Sequence, residues 1–326
     1  MSFDPAAQLV LAPMEGLADH EMREVLTAVG GYDWGICPFV RVSGSVLPRR
    51  AFQRICPELL QGGRTRAGTP MRVQLMGSDP GLLADNASAL LELSPAGIDL
   101  NFGCPAPTVN RHRGGAALLE EPELLRAIAT AVRARVPAHL PFTAKMRLGL
   151  KDSSRALECA QALEAGGVDA LIVHGRTQAD GYRPPARWDK IARVRQAVRV
   201  PVVANGEVWS AADYAAIRAE SGCCAVMLGR GAVTDPLLPR RIRGEAGGGW
   251  PELLPHLADY WALICRRVRP EHAPGRLKQW LGLMRRAYPE AGRLYLSLRP
   301  LCRLAEVEVL LRQAGIPVWH QEAEAA

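Results

Sequence analysis

Between residue 9 and about residue 232 the chain alternates short, almost unbroken apolar runs with amphipathic stretches, eight times over. The runs are Leu9–Met14, Ile36–Val42, Met71–Gly77, Gly97–Asn101, Phe142–Leu148, Ala170–Arg176, Pro201–Val208 and Ala225–Gly231. Each has the length of a strand and the continuous apolarity of one buried on both faces of a parallel sheet. The intervening segments Pro122–Val136, Ser154–Ala165, Trp188–Val198 and Ala211–Ser221 repeat apolar residues at helical spacing, with Asp19 and Ser210 placed to cap helices. Eight such units predict an α/β fold, a closed (β/α)8 TIM barrel. An open dinucleotide-binding sheet would carry Gly-x-Gly-x-x-Gly after its first strand; Pro13-Met14-Glu15-Gly16 stands there instead.

The stretch from Arg49 to Pro70 breaks the rhythm and reads as a long loop or insertion. Beyond Ala232 the pattern becomes helical only, with helices expected over Leu253–Arg267, Arg276–Arg286, Ala291–Leu298 and Leu301–Gln313. The patch Gly247-Gly248-Gly249 marks a linker, and a short Glu/Ala tail ends the chain. A barrel domain over residues 1–245 and a small helical bundle over 246–326 follow from this reading. A chain of 326 residues with 48% hydrophobic content is large enough for both.

Composition narrows the class. No apolar run reaches the ~18 residues of a membrane span, and the N-terminus lacks the pattern of a secretory signal. Eight cysteines form no Cys-x-x-Cys pair and no zinc-ligand spacing, so a reduced, cytoplasmic protein without structural metal is expected. Cys223-Cys224 reads as packing. The net charge is +7, and residues 240–326 hold 14 Lys/Arg against 9 Asp/Glu. Such a basic segment suits a polyanionic partner, or equally an ordinary solvated face.

Polar residues gather where the predicted strands end: Gln74, Asn101, Cys104, Lys145, Arg147, His174, Arg176, the Asn205-Gly206-Glu207 turn and Gly229-Arg230-Gly231. Singly, Gln74 reads as a satisfied core amide, His174 as a packed histidine and Cys104 as an inert buried thiol. Jointly they are costly in a plain core, since an unpaired buried polar group costs about 1–3 kcal/mol. Barrel active sites form at these strand ends, and the loops after the last two strands are where barrels hold phosphate. Glycines at 206, 229 and 231 let backbone N–H groups approach an anion that Arg230 completes. Gln74 and Lys145 would reach a planar heterocycle, with Pro13 and Met14 giving backbone and a flat apolar contact. That set describes a flavin mononucleotide (FMN) site better than a sugar or metal site.

In order and spacing, seven segments resemble the tRNA-dihydrouridine synthase family. They are Ala12–Gly16, Arg72–Leu75, Asp99–Pro105, Lys145–Arg147, Val173–Thr177, Ala204–Glu207 and Gly229–Gly231. Phe39–Val42, Arg54–Leu59 and Leu277–Leu281 are most similar to the bacterial C-type subfamily, which is associated with the uridine at tRNA position 16. Phe102 departs from it, standing where C-type enzymes often have a further cysteine.

The resemblance implies an FMN enzyme in which NADPH reduces the flavin, the flavin passes hydride to uracil C6, and Cys104 protonates C5. A thiol with a pKa near 8.5 is largely protonated at neutral pH, as an acid must be. It also implies that Asn101 orients the uracil. Pro13, Met14, Glu15, Gln74, Lys145, His174, Asn205, Gly206, Glu207, Gly229 and Arg230 would hold FMN. Arg41, Arg147, Arg276, Lys278 and Arg299 become candidates for contacts to the D-loop and elbow of tRNA. Tyr182 and Trp209 are placed to stack on an extruded base or to act as lid residues. The protein is expected to be a monomer. Two other readings stay open: a small-molecule FMN barrel oxidoreductase of the dihydroorotate or ene-reductase kind, and a non-catalytic RNA-binding barrel.

Overall fold

The computed structural model describes residues 7–106, 114–245 and 248–318. Packing divides the chain into two compact units. One is built on residues 32–229 with the segment up to His20; the other takes Glu21–Gly31 and everything from Arg230 onward. This second unit starts ahead of the residue-246 boundary read from the glycine patch. Gly247 of that patch and the Glu/Ala tail lie outside the described residues.

Nine strand segments form the first unit: Leu9–Leu11 (β1), Trp34–Ile36 (β2), Val40–Arg41 (β3), Met71–Met76 (β4), Ile98–Phe102 (β5), Phe142–Arg147 (β6), Ala170–His174 (β7), Val202–Asn205 (β8) and Ala225–Leu228 (β9). All pair in parallel, in the order β2-β1-β9-β8-β7-β6-β5-β4, and the β2–β4 pairing closes the ring. The fold is a TIM barrel, as the eight-fold alternation requires. Its strands are almost wholly buried because helices cover them outside and side chains fill them inside.

The second stave is broken. Ile36 lies opposite Arg72, yet Val40, four residues on, lies opposite Leu75, only three further along β4. One extra residue is therefore accommodated around Pro38, which has no N–H to give a ladder. The predicted run Ile36–Val42 becomes β2 and β3 for this reason.

One further expectation is corrected and another is made specific. The run Ala225–Gly231 is strand only to Leu228, and Arg230–Thr234 is helical. Arg49–Pro70, expected as a long loop or insertion, is an insertion with structure of its own. It holds a helix, Arg49–Ile55, and a 3-10 turn, Pro57–Gln61, seated by the buried Phe52, Glu58 and Leu59. A single apolar anchor in a seven-residue helix is too little for periodicity to register.

The outer helices Pro122–Arg133, Ala156–Ala165, Trp188–Ala197 and Ala211–Ser221 match the predicted positions within a few residues. Ser210 caps the last of them, its Oγ accepting the Asp213 N–H at 3.1 Å. Cys223 is buried, but Cys224 is exposed and so is not packing material.

The barrel interior has two halves. Val10, Ala12, Trp34, Ile36, Ile172, Val203, Ala225 and Met227 form an apolar cluster, with Met14 packed against it. By strand alternation and register, β4, β5 and β6 turn Arg72, Gln74, Asp99, Asn101, Thr143 and Lys145 inward. The Arg72 guanidinium lies 3.5 Å above the Trp34 ring, where the two halves meet near the strands' N-terminal ends.

The second unit is helical. Trp250–Arg267, Ala273–Met284, Pro289–Leu298 and Leu304–Gln313 follow two short helices, Arg230–Thr234 and Leu238–Ile242. Tyr260 and Trp280 meet edge to face at 4.8 Å, and Trp280 Nε1 donates to the Val233 carbonyl at 3.0 Å. No helix among the described residues is long and apolar enough to cross a membrane.

Candidate active site

The thiol expected to do chemistry follows directly on β5. Asn101, the fourth residue of that strand, turns its amide oxygen onto the chain ahead and accepts the N–H groups of Gly103 at 3.0 Å and Cys104 at 2.9 Å. This Asx turn carries Cys104 out of the sheet at the strand's C-terminal end. Burial is the main influence on the thiol and raises its pKa above the ordinary cysteine value. The Glu15 charge adds to that, while a backbone N–H at Ala106 and the cations Arg147 and Lys145 oppose it. The thiol is thus held protonated at neutral pH, with two cations near enough to stabilise a thiolate formed transiently.

Asn101 is itself held from below. Its Nδ2 donates to Gln74 Oε1 at 2.7 Å, and Gln74 Nε2 donates to Asp99 Oδ2 at 2.7 Å. Thr143 Oγ1 donates to the other oxygen of Asp99 at 2.6 Å, and Arg72 reaches Thr143 Oγ1 at 3.4 Å. Gln74 is fully buried and bonded at both ends of its amide. Each of the two amides keeps one N–H beyond these bonds.

Lys145 stands beside Asn101 in the β5–β6 register. No hydrogen-bond acceptor among the described residues meets its ammonium. Burial, together with the neighbouring Arg147 charge, lowers its pKa to about 8, against the opposing pull of Asp99 and Cys104. A partly buried ammonium and the spare Asn101 N–H make this side of the mouth a donor surface, with the Gln74 amide directly beneath it. It suits a flat, acceptor-rich heterocycle, and in that respect the residues fit a flavin.

Arg147, expected to meet tRNA, is only 2% exposed. Its Nε donates to the Gly103 carbonyl at 2.9 Å, and its Nη1 to those of Thr177 and Gly181, each at 2.8 Å. It therefore ties the Cys104 turn to the loop after β7. That loop presents Tyr182, 55% exposed, with its ring 5.2 Å from the Arg147 guanidinium and 6.3 Å from the His174 ring.

The loop after β8 has an unusual backbone. Gly206 has φ +120°, and a Cβ there would fall 2.8 Å from the His174 ring. Glu207 has φ +66°, a conformation that disfavours side chains. Its carboxylate is paired with Arg176, which is buried and also donates to the Arg183 carbonyl at 2.7 Å, and it accepts from Trp209 Nε1 at 3.0 Å. Asn205 Nδ2 donates to the Met227 carbonyl at 2.9 Å. Two staves along, the turn after β1 folds Leu17 and Ala18 N–H groups onto the Met14 carbonyl at 3.1 and 2.8 Å. A methyl group at Gly229 would touch the Met14 sulfur at 3.7 Å. Pro13 and Met14 are half-buried there, and Glu15 is exposed.

Of the remaining cations, Arg230 opens the first helix of the second unit. Arg41 and Arg299 are exposed. Arg276 bonds Gln279 Oε1 at 2.5 Å, and the Lys278 ammonium donates to the carbonyls of Arg299 at 3.2 Å and Leu301 at 2.5 Å. The sequence reading missed Asp99, Thr143 and Arg72, which look like strand interior until register aligns them. It also missed the Arg176–Glu207 pair, whose members lie on different loops.

A family profile described as dihydrouridine synthase (Dus) matches residues 10–269. The chain belongs to the dihydrouridine synthase family. Relatives resemble the synthase along nearly its whole length. The tRNA-dihydrouridine(16) synthase of Ralstonia nicotianae is 53% identical over 324 residues, covering 98% of this chain and 99% of its own. The protein of the same name from Cupriavidus necator is 54% identical over 316 residues, 95% and 98% of the two chains. Among solved structures, a 2-naphthoyl-CoA reductase complex superposes with a TM-score of 0.56 at 11% identity, over 73% of the synthase and 50% of that chain. Morphinone reductase in complex with tetrahydroNAD gives 0.52 at 13%, over 75% and 88%. At such identities the likeness is one of barrel fold.

Proposed function

We propose that this synthase reduces the uridine at position 16 of the tRNA D-loop to 5,6-dihydrouridine in the cytoplasm, working as a monomer with FMN as its cofactor and NADPH as reductant. The observation that carries the reading is the Cys104 thiol, kept protonated by burial in a turn that Asn101 fixes at the mouth of the barrel. When bound, the flavin supplies hydride to uracil C6. Cys104 supplies the proton to C5 from its Sγ–H, and Lys145 and Arg147 lie close enough to offset the thiolate charge until solvent reprotonates it. The spare N–H of Asn101 is suited to a uracil carbonyl. Gln74 and Lys145 present donors to the heterocycle. The turns at Pro13–Glu15, Asn205–Glu207 and Gly229–Arg230, with His174, would surround the cofactor and its phosphate.

The exposed Tyr182 at the mouth supports stacking on an extruded base, which offsets the few kcal/mol that unstacking costs. Position 16 is supported by the names of the relatives and by the C-type segments. The helical region from 246 onward, with its positive excess, is the part we propose for tRNA phosphates.

The test is mass-spectrometric mapping of dihydrouridine after incubating purified protein, FMN and NADPH with unmodified tRNA. Product at position 16 is expected. Product elsewhere in the D-loop would keep the chemistry and refute the position. No product from flavin-loaded, NADPH-reducible protein would favour a small-molecule reductase. Cys104→Ala is expected to retain flavin and its reduction while losing dihydrouridine formation; full activity would remove Cys104 from the mechanism.

A further inference from the structure

The hydrogen-bonded chain beneath Cys104 runs through two groups that have no intrinsic direction. A primary amide donates from nitrogen and accepts at oxygen, and rotation by half a turn exchanges the two. Gln74 and Asn101 are both such groups, bonded to each other at 2.7 Å. If both turned over, the bond between them would survive with its sense reversed. Asn101 would then aim NH2 at the N–H groups of Gly103 and Cys104, and the turn would lose both of its bonds.

The turn's own N–H groups oppose the reversal from one end, and a buried neighbour forbids it from the other. Asp99 as a carboxylate can only accept, and it meets Gln74 at 2.7 Å. That contact forces the Gln74 nitrogen toward Asp99 and its oxygen toward Asn101, hence the Asn101 nitrogen toward Gln74 and its oxygen toward the turn. The second oxygen of Asp99 takes the Thr143 hydroxyl at 2.6 Å, and Arg72 compensates the charge from the same buried layer. We infer that Asp99 is a positioning residue for the reaction: by fixing the hydrogen-bond sense of Gln74 and Asn101, it holds the turn that presents Cys104. The inference rests on Cys104 being the acid, but the contacts it invokes are all made by this chain alone.

Hydrogen–deuterium exchange across residues 98–106 reads the turn directly, with no need of cofactor or tRNA. In Asp99→Asn the new amide can turn either its oxygen or its NH2 to Gln74, so only the turn's own N–H groups still enforce the sense, and exchange at Gly103 and Cys104 should rise by up to about fivefold, the scale of one net hydrogen bond. Peptides from β7 and β8 should keep their protection, and kcat for dihydrouridine formation should fall by a similar factor or more. Thr143→Val is the control: it removes a bond to the same carboxylate and leaves its acceptor character, so protection of the turn should persist.

The decisive variant is the double substitution Asp99→Asn with Gln74→Glu. A carboxylate at 74 accepts from both the new amide at 99 and Asn101 Nδ2, so the sense at Asn101 and the charge facing Arg72 both return. It should restore protection of the turn relative to either single variant. This holds even if Asp99→Asn alone, with Arg72 left uncompensated, folds poorly. Unchanged protection in Asp99→Asn, or no restoration in the double variant, would overturn the inference. A fully active Cys104→Ala enzyme would instead remove the reading of Cys104 and leave the exchange result standing.

Discussion

At the scale of single residues, the site depends on groups held away from their ordinary titration. Lys145 carries its charge at neutral pH, but with a pKa lowered to about 8 it loses that charge well before an exposed lysine would. Cys104 is shifted the other way, above its usual value. The fall of kcat on the alkaline side should therefore centre near pH 8 and belong to Lys145. In Lys145→Arg, whose guanidinium stays charged, the falling limb should move up by about one unit or more. A limb that stays near 8 would point to another group. Stability follows the same linkage with its own sign. Between about 8 and the ~10.4 of an unfolded lysine, the unfolded chain binds the extra proton. The burden Lys145 places on folding is thus complete below pH 8 and is relieved as pH rises through that window. Asp99, raised to about 6 chiefly by burial, runs oppositely: it costs stability as pH rises from about 4 to 6 and it ionises in place.

At the scale of elements, strands were readable and loops were not. Eight apolar runs located the staves because burial on both faces removes polar residues from a strand. The polar exceptions, from Asn101 to Asn205, lie toward the strands' C-terminal ends, with Gln74 one layer below them. Loop contacts such as Arg176 with Glu207, or Arg147 with Gly103, Thr177 and Gly181, leave no periodic trace, since they join segments by carbonyls and single charges. Arg147 is the instructive case: a strand-end cation looks like a hand held out to phosphate, yet register buries it and three carbonyls take its donors. Arg147→Ala should speed hydrogen exchange in residues 177–182 before it affects the outer helices; unaltered exchange there would mean the tie is not what orders the loop. The Glu207 turn offers a second check. Glu207→Ala and Glu207→Gly both remove the pairing with Arg176, but only alanine keeps a side chain at φ +66°. Denaturant unfolding should find the glycine variant more stable by about 1 kcal/mol, the reverse of the usual order of these residues.

At the scale of the whole molecule, the +7 net charge bears on the proposed RNA partner through the salt dependence of association. Exposed Arg41 and Arg299 are the cations whose removal should lower the slope of log Kd against log salt, by about 0.7–0.9 for each phosphate left without its cation. Lys278, whose ammonium closes on the carbonyls of Arg299 and Leu301, should cost thermal stability when changed to alanine and leave the slope alone. A slope that responds to Lys278 and not to Arg41 would reverse these roles. Arg41 owes its position to the extra residue near Pro38. Strand alternation has a parity, and up to Ile36 the even-numbered residues face the barrel axis. Past the insertion the odd ones do: Arg41 aligns with Met76, on the Gln74 face, while Val40 and Val42 turn to the buried outer layer. The second stave is therefore sensitive to length rather than to spelling. A substitution between Cys37 and Phe39 would leave this frame intact, whereas deleting one residue would act as a structural frameshift, driving an arginine under the helices and two valines into the open mouth.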